Sequence, residues 1–248
     1  MSLPAQQGIR FSGASSQAKA EGQEPGRFNT EVARLFPGSF ENSEFGPIPA
    51  GWRAGVLGEL AQTAREQRQP SALDDATHYV GLEHIPRRSL TLTDWGNAGA
   101  LESAKSCFKE GDVLFGKLRP YFHKVVVAPF DGVCSTDILV CRPKKQAFYA
   151  VVAMHLFSKP LVGYADRLSN GAKMPRVNWK DLAAYPIVVP PEPVADYFRV
   201  VTTPLIQSIV ANVHKAKTLA NLRDELLPRL ISGRLRLSEA EALLQDAA

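Results

Sequence analysis

The most regular hydrophobic pattern lies in the C-terminal third of the chain. Apolar residues recur there at steps of three and four, from Leu205 to Leu230, with polar and charged residues between them. The pattern predicts an amphipathic helix of about eight turns, roughly 40–50 Å long. It also matches a coiled-coil seam, although a stripe packed on the chain's own domain would look similar. Because so long a helix outreaches one domain, we predict a helix-pairing seam formed by Leu205, Ile209, Val213, Ala216, Leu219, Leu222 and Leu226.

The ends of this helix are marked by residues with special backbone behaviour. We predict a helix over 193–233, which Pro228 ends or bends because proline has no backbone N–H to donate. Gly233 suits the cap that follows the last turn. Ser238 and Glu241 form a capping box for a short C-terminal helix within 234–248.

The region 53–192 shows a mixed pattern that predicts one globular domain. Short β-rich runs separated by turn residues are typical of strands; they lie at His78–Ile85, Asp112–Leu118, Lys124–Phe130 and Val133–Cys141. Ala147–Phe157 is instead typical of a helix, in which His155 is half-buried and no second metal ligand stands four residues on. The fold class is α+β with a mixed or antiparallel sheet, followed by the long coiled-coil-forming helix.

Two segments precede this domain. Residues 1–26 have little to bury and read as a flexible leader. Residues 27–52 mix Pro and Gly with Phe and Trp, which disfavours a long helix but favours packing on a surface. We predict that this second segment is a connector that packs on the domain.

Charge and cysteine content add little specificity. The net charge of +4 and the pI of about 9.0 suit a polyanionic partner without requiring one. The three cysteines contain no C-x-x-C pair and no zinc-ligand spacing, so we expect no metal and a reducing compartment. Without a membrane-spanning apolar run or a secretion leader, the chain is expected to be cytoplasmic and not bound to a membrane.

The sequence shows no convincing catalytic motif. Gly111-Asp-Val-Leu-Phe-Gly116-Lys117-Leu118 has the spacing of a phosphate loop, but Leu118 replaces the Ser or Thr that binds magnesium, and Pro120 follows. The G-x-S-x-G, H-E-x-x-H and G-x-G-x-x-G patterns are absent, as are methyltransferase motifs. We therefore predict no catalytic residue and no cofactor, with a methyltransferase fragment or a nucleotide-binding enzyme as the alternative.

Two segments combine basic and hydrogen-bonding residues in a way that suits DNA. In the first, Lys117, Arg119 and Lys124 could neutralise phosphates, while Tyr121 and His123 could donate to them. In the second, Arg and Asn side chains match the base edges of the major groove; its residues are Asn170, Lys173, Arg176 and Asn178. Taken alone, each segment could equally be an ordinary polar surface turn.

Several short stretches together resemble a known family. They are Ala18–Gly22, Leu35–Pro37, Ser43–Trp52, Gly111–Pro120, Cys134–Asp137, Asn170–Gly171, Met174–Pro175, Pro186–Pro191 and Leu222–Gly233. In combination the chain resembles one half of the specificity (S) subunit of type I restriction–modification enzymes. The resemblance implies a target-recognition domain at 53–192 with a conserved helix behind it, and it makes Gly111–Leu118 a core strand and Ser135–Asp137 structural.

The resemblance also implies function and partners. A specificity subunit is non-catalytic, reads one half of a bipartite double-stranded DNA site, and holds methyltransferase (M) subunits and, through them, the restriction (R) subunit. The family usually has two recognition domains and two long helices, whereas this chain has one of each. A homodimer, or a missing first half of a longer subunit, would supply the second. The remaining alternative is a protein-interaction remnant that no longer binds DNA.

Overall fold

A computed structural model of the chain describes residues 34–170 and 174–233. The strands are β1 (Phe40–Ser43), β2 (Gly46–Pro49), β3 (Arg53–Val56), β4 (Ala61–Thr63), β5 (Gln67–Arg68), β6 (His78–Val80), β7 (Gly96–Asn97), β8 (Lys105–Phe108), β9 (Val113–Gly116), β10 (Val125–Val127), β11 (Gly132–Cys134), β12 (Ile138–Pro143) and β13 (Pro186–Val189). The α-helices are α1 (Leu57–Leu60), α2 (Tyr149–Phe157), α3 (Lys159–Leu168), α4 (Trp179–Ala183) and α5 (Glu192–Ile231).

The strands form two main sheets. A four-stranded sheet has the order β10-β9-β12-β4, and each of its neighbouring strands pairs antiparallel. A five-stranded sheet has the order β5-β8-β11-β6-β7 and is mixed, because β11 runs parallel to β6. Two antiparallel pairs, β1 with β2 and β3 with β13, complete the strand pairing. The predicted α+β class with a long C-terminal helix is confirmed.

The four-stranded sheet is buried on both faces. Along β9, Val113 and Phe115 pack in the core cluster that contains helices α2 and α3, whereas Leu114 packs in the cluster that contains the five-stranded sheet. Successive side chains of a strand point to opposite faces, so an unbroken apolar run fits a strand that is covered on both sides. The domain therefore has three layers: helices, the four-stranded sheet and the five-stranded sheet.

This burial explains the apparent phosphate loop. Val113, Leu114 and Phe115 are each at most 1% exposed, and Gly111 adopts a positive φ of 84° in the turn before the strand. A phosphate loop must present free backbone N–H groups at the start of a helix, whereas this segment pairs with β10 and β12. The structure therefore makes it a core strand.

The strand predictions were right in place but too long. Of the His78–Ile85 run only His78–Val80 is a strand, and Val133–Cys141 divides into β11 and β12 at a turn. In that turn Ile138 N donates to Ser135 O at 2.9 Å. The predicted helix Ala147–Phe157 begins as a 3₁₀ turn and becomes α-helical at Tyr149.

The long helix has more than the eight turns predicted from its apolar stripe, and its bounds lie within two residues of the predicted 193–233. It has 40 residues, which corresponds to about 60 Å, and it contains Pro204 and Pro228. Of the two predicted effects of Pro228, an end of the helix does not occur there, because α5 continues to Ile231. Proline removes only its own N–H, and Pro228 O still accepts a 3.0 Å hydrogen bond from Ser232 N, so the last turn closes. Gly233, with φ of 69°, follows as the predicted cap.

Helix α5 contacts the domain at two levels. In its first half, Ile206 is buried against Val127 and Tyr149. Eleven residues later, the Lys217 ammonium lies 3.9 Å from the centroid of the Trp95 ring, a cation–π distance. The Trp95 ring in turn packs on Phe130 with the centroids 4.9 Å apart. The helix is therefore attached to the domain at Lys217 as well as at Ile206.

The described part of the connector is a hairpin. Strands β1 and β2 pair antiparallel, and Ile48 is buried. Whether the connector packs on the domain as a whole stays a prediction. The predicted leader and the predicted short C-terminal helix lie outside the described residues. Among the described helices, none is both long enough and apolar enough to cross a membrane.

Candidate nucleic-acid interface

The structure brings the two predicted DNA-binding segments together. Val177 N donates to Lys117 O at 3.1 Å, and Arg119 N donates to Pro175 O at 2.8 Å. An antiparallel bridge between Leu118 and Arg176 lies between these two hydrogen bonds. Segments that are more than 50 residues apart in the sequence therefore form one continuous surface.

The second segment is a closed loop. Asn170 and Arg176 exchange two backbone hydrogen bonds, of 3.0 and 2.9 Å, and both residues are exposed. The predicted Lys173 lies between them, outside the described residues. This pairing holds the Arg176 backbone in place at the edge of the surface.

Arg176 makes a two-pronged ion pair with Asp137. Arg176 Nε donates to Asp137 Oδ1 at 2.9 Å, and Arg176 Nη2 donates to Asp137 Oδ2 at 3.3 Å. The hydrogen bond and the charge of Asp137 raise the pKa of Arg176, so the guanidinium stays charged. Asp137 belongs to the turn between β11 and β12, and its main-chain oxygen accepts from Lys117 N at 2.9 Å.

A third basic segment joins the same surface. Arg88 N donates to His123 O at 2.9 Å, and the Arg87 guanidinium stacks 4.0 Å from the centroid of the Phe122 ring. Both arginines are exposed. This segment was not predicted from the sequence, although consecutive arginines between Pro86 and Ser89 are a visible sign of a basic turn.

The backbone of this surface is unusual. Among the described residues other than glycine, the ones with positive φ are Arg88 at 56°, Arg119 at 50° and His123 at 52°. Left-handed backbone is unfavourable for residues with a Cβ and tends to occur at functional sites. The three basic residues are close together, since Arg88 N bonds His123 O and His123 N bonds Pro120 O.

The predicted residues of the first segment differ in accessibility. The Tyr121 side chain is 49% exposed and packs edge-on against Phe122. Lys117 and Arg119 are partly exposed. These three residues can reach a ligand that lies on the surface.

His123 and Lys124 have local partners instead. His123 is only 6% exposed, and its Nε2 lies 2.8 Å from Phe157 O. Lys124 Nζ donates to Leu82 O, and burial together with the charge of Arg87 lowers the pKa of Lys124. A ring buried against α2 cannot reach a phosphate on the surface, so the predicted phosphate contact of His123 does not fit this structure.

Asn178 also has a structural task. Its side-chain oxygen accepts a 3.0 Å hydrogen bond from Asp181 N and caps helix α4. Reading adenine requires both the oxygen and the nitrogen of the amide. Because the cap uses the oxygen, Asn178 is less suited to base reading than the sequence suggested.

Two of the three cysteine thiols, those of Cys134 and Cys141, are buried, and the His155 ring is half-buried. Burial raises the pKa of the Cys134 thiol to about 12 and raises that of Cys141 as well. Burial also lowers the pKa of His155 to about 4. Within the described residues, no group of three His, Cys, Asp or Glu side chains could hold a metal ion.

The predicted helix-pairing seam is accessible only in part. Leu205 is 60% exposed, Ile209 48% and Leu219 61%, and Ala216 is exposed as well. Val213 and Leu222 are partly buried, and Leu226 is only 7% exposed, with Leu230 packed against it. Phe198 and Leu227 extend the exposed face along the helix.

The curated proteins that are similar to this chain share one description. No protein-family model matches the chain. The type I restriction enzyme EcoDI specificity subunit of Escherichia coli is 29% identical over 231 residues, which is 83% of this chain and 50% of that protein. The type I restriction enzyme MjaIX specificity subunit of Methanocaldococcus jannaschii is 24% identical over 217 residues, 81% of this chain and 50% of that protein. The chain thus spans about half the length of the curated relatives it matches.

Solved structures show the same fold. A chain from a structure of the type I R-M system has a TM-score of 0.52 and 21% sequence identity, and the match covers 75% of this chain and 50% of that chain. The HsdS subunit from Thermoanaerobacter tengcongensis has a TM-score of 0.52 at 22% identity, covering 73% and 48%. By sequence and by fold, the homologues of this chain are specificity subunits of type I restriction enzymes, and the chain matches about one half of such a subunit.

Proposed function

We propose that this chain is a specificity subunit, or half of one, that reads one half of a bipartite DNA site in a type I restriction–modification system. The observation that carries the proposal is the basic surface, by which we mean the turn at Arg87–Arg88 with the segment Lys117–Tyr121, Asn170 and the segment Met174–Arg176. Three separate pieces of chain meet there, and the homologues are specificity subunits. A convergence of cations, a tyrosine and an arginine fork is suited to a duplex.

The surface contains two kinds of contact. Within the part of the chain that the structure describes, Arg87, Arg88 and Lys117 form no ion pair with an acidic side chain, and they are suited to phosphates, which fix the position of a protein on DNA. Arg176 and Asn170 lie on the closed loop and are suited to base edges. We propose that the first group supplies affinity that depends on salt, and that the second supplies sequence preference.

A binding measurement tests this division. Fluorescence anisotropy with duplexes of different sequence, repeated across salt concentrations, should show that Arg87→Ala with Arg88→Ala weakens all duplexes alike. The slope of log affinity against log salt should fall by about two units, and Lys117→Ala should lower it by about one. Lys109→Ala is the matched control, because Lys109 is an exposed lysine that precedes β9 whereas Lys117 follows that strand. Equal effects of the control and the test variants would contradict the proposal.

The proposal also includes partners and the absence of catalysis. We propose that the chain carries no reaction itself and holds M subunits, and through them the R subunit, as the names of its relatives suggest. Co-purification with a candidate M subunit, followed by mapping of methylated adenines, tests this part. Binding of a methyl donor by the chain alone would support the methyltransferase alternative instead.

We further propose that a second helix covers the exposed seam. The chain spans half the length of its relatives, so a second recognition domain must come from elsewhere if a bipartite site is read. The exposed apolar residues of α5, among them Leu205, Ile209 and Leu219, offer the place where it attaches. A second copy in antiparallel orientation would place the two domains about a two-fold axis, and the DNA site would be an inverted repeat. The missing half of a longer subunit would serve in the same way.

A further inference from the structure

Asp137 contacts the basic surface at two points, because its carboxylate pairs with Arg176 and its main-chain oxygen accepts from Lys117 N. We infer that Asp137 is a positioning residue that presents the Arg176 guanidinium to a guanine in the major groove. This inference rests on the proposed function and adds the base that is read and the residue that prepares the reader.

The geometry of the ion pair leaves one donor pair of Arg176 available. Asp137 binds the side of the guanidinium that carries Nε and Nη2. A guanidinium has five N–H donors, so among the described residues the end that carries Nη1 and the second hydrogen of Nη2 remains available. The Arg176 side chain is 46% exposed and Asp137 26%, so the arginine lies further out than the carboxylate. The free end is therefore a fork held on the accessible side.

Both partners are held by backbone contacts. Arg176 exchanges two hydrogen bonds with Asn170 and lies opposite Leu118 in an antiparallel bridge. Asp137 N donates to Ser135 Oγ at 3.2 Å, and Asp137 O accepts from Lys117 N. Fixing a long side chain before binding lowers the entropy lost on binding. The pair is thus prepared before DNA arrives.

The charge of the pair favours a base over a phosphate. Asp137 offsets the charge of Arg176, which weakens its attraction to a phosphate, whereas Arg87 and Arg88 form no ion pair with any acidic side chain that the structure describes. Guanine offers two acceptors, O6 and N7, that match two parallel N–H donors. Adenine presents an amino group at the corresponding place, and two donors would face each other. The fork of Arg176 therefore fits guanine.

Selection from a duplex library with randomised positions tests this inference on the full chain. We expect the wild-type motif to contain a guanine whose replacement weakens binding by about 5- to 150-fold. Arg176→Lys should lose the preference at that base pair alone, since lysine has no planar fork. Asp137→Asn should reduce the same discrimination by up to about 10-fold, without weakening binding to generic duplex.

Two further variants keep the result interpretable. Asp166→Asn removes another exposed acidic residue that precedes the closed loop, and it should leave every base preference unchanged. Asp137→Glu keeps the charge but moves the carboxylate, so it should reduce discrimination even if Asp137→Asn fails to fold, as thermal unfolding would show. Unchanged preferences in Arg176→Lys and in both Asp137 variants, with normal duplex binding, would overturn the inference and leave the proposed function intact. A wild-type chain that shows no preference among duplexes would overturn both.

Discussion

The exposed seam of α5 gives a sharp prediction about assembly. Leu219 is 61% exposed although it lies on an apolar face of the helix. We predict that Leu219→Asp splits the dimer, because it removes apolar area from the seam and places an unpaired charge there. Leu205 and Ile209 are exposed to a similar extent, so the prediction concerns the face and not one residue.

The expected size follows from the exposed fraction. Complete burial of a leucine side chain contributes about 1.5–3 kcal/mol. Since 61% of Leu219 remains to be buried, pairing contributes about 1–2 kcal/mol for each copy, and twice that in a two-fold dimer. Loss of this burial alone raises the dissociation constant by about 30- to 1,000-fold, and the buried charge increases the effect further.

Analytical sedimentation over a range of chain concentrations measures this effect directly. Asn221→Asp is the matched control, because Asn221 is exposed on the same helix but lies about 160° around the axis from Leu219. We expect the control to dimerise like the wild type. If the wild-type chain remained a monomer at high concentration, both free and on DNA, the second-copy model would be refuted and DNA binding would not.

Two predictions concern stability. Burial lowers the pKa of His155 from its usual 6.5 to about 4, so the folded state binds this proton more weakly than the unfolded state does. The free energy of unfolding should therefore be highest above about pH 6.5 and fall by at most about 3 kcal/mol as the pH drops to 4. Urea unfolding at several pH values should show a smaller fall in His155→Leu, and equal slopes would contradict this assignment. Asp112 is 5% exposed and accepts hydrogen bonds of 2.7 and 2.8 Å from Arg142. Asp112→Ala should lower the free energy of unfolding by about 2–4 kcal/mol. The loss is limited because Arg142 keeps some solvent contact. The exposed pair of Glu66 and Arg68 is its control, and a loss no greater than that of Glu66→Ala would contradict the prediction.

Local sequence patterns predicted the elements of the fold better than their ends. The apolar run at Val113–Phe115 is long enough to demand a buried strand, and the structure places it in the centre of the domain. The division of Val133–Cys141 could not be predicted in the same way, since the turn at Ser135–Asp137 has no Gly or Pro to mark it. The apolar stripe from Leu205 to Leu230 predicted too few turns for α5, because the helix already begins at Glu192 and accommodates Pro193 in its opening turn.

For the candidate site, residue types alone did not predict which segments lie next to each other. The sequence identified Lys117, Arg119 and Arg176 as chemically suited to DNA, but not that their segments lie side by side. That neighbourhood depends on long-range pairing, such as Arg119 N with Pro175 O, which no local pattern encodes. The same long-range contacts bury His123 and bring Arg88 to the surface beside it. Residue type indicates which ligands a side chain could bind, and tertiary contacts determine whether that side chain can reach them.

Because α5 contacts the domain at both Ile206 and Lys217, the direction of the helix relative to the domain is fixed. Ile206 and Lys217 lie about 16 Å apart along its axis, and the tip at Ile231 is about 37 Å from Ile206. If Ile206 stays in place, a movement of 1 Å at Lys217 tilts the helix by about 4° and moves Ile231 by about 2 Å. This movement of Ile231 is smaller than the 3.4 Å step between base pairs. If α5 joins this domain to a second one, a helix held this closely would keep both domains at fixed positions along a duplex, and the contact of Lys217 with the Trp95 ring would limit its movement.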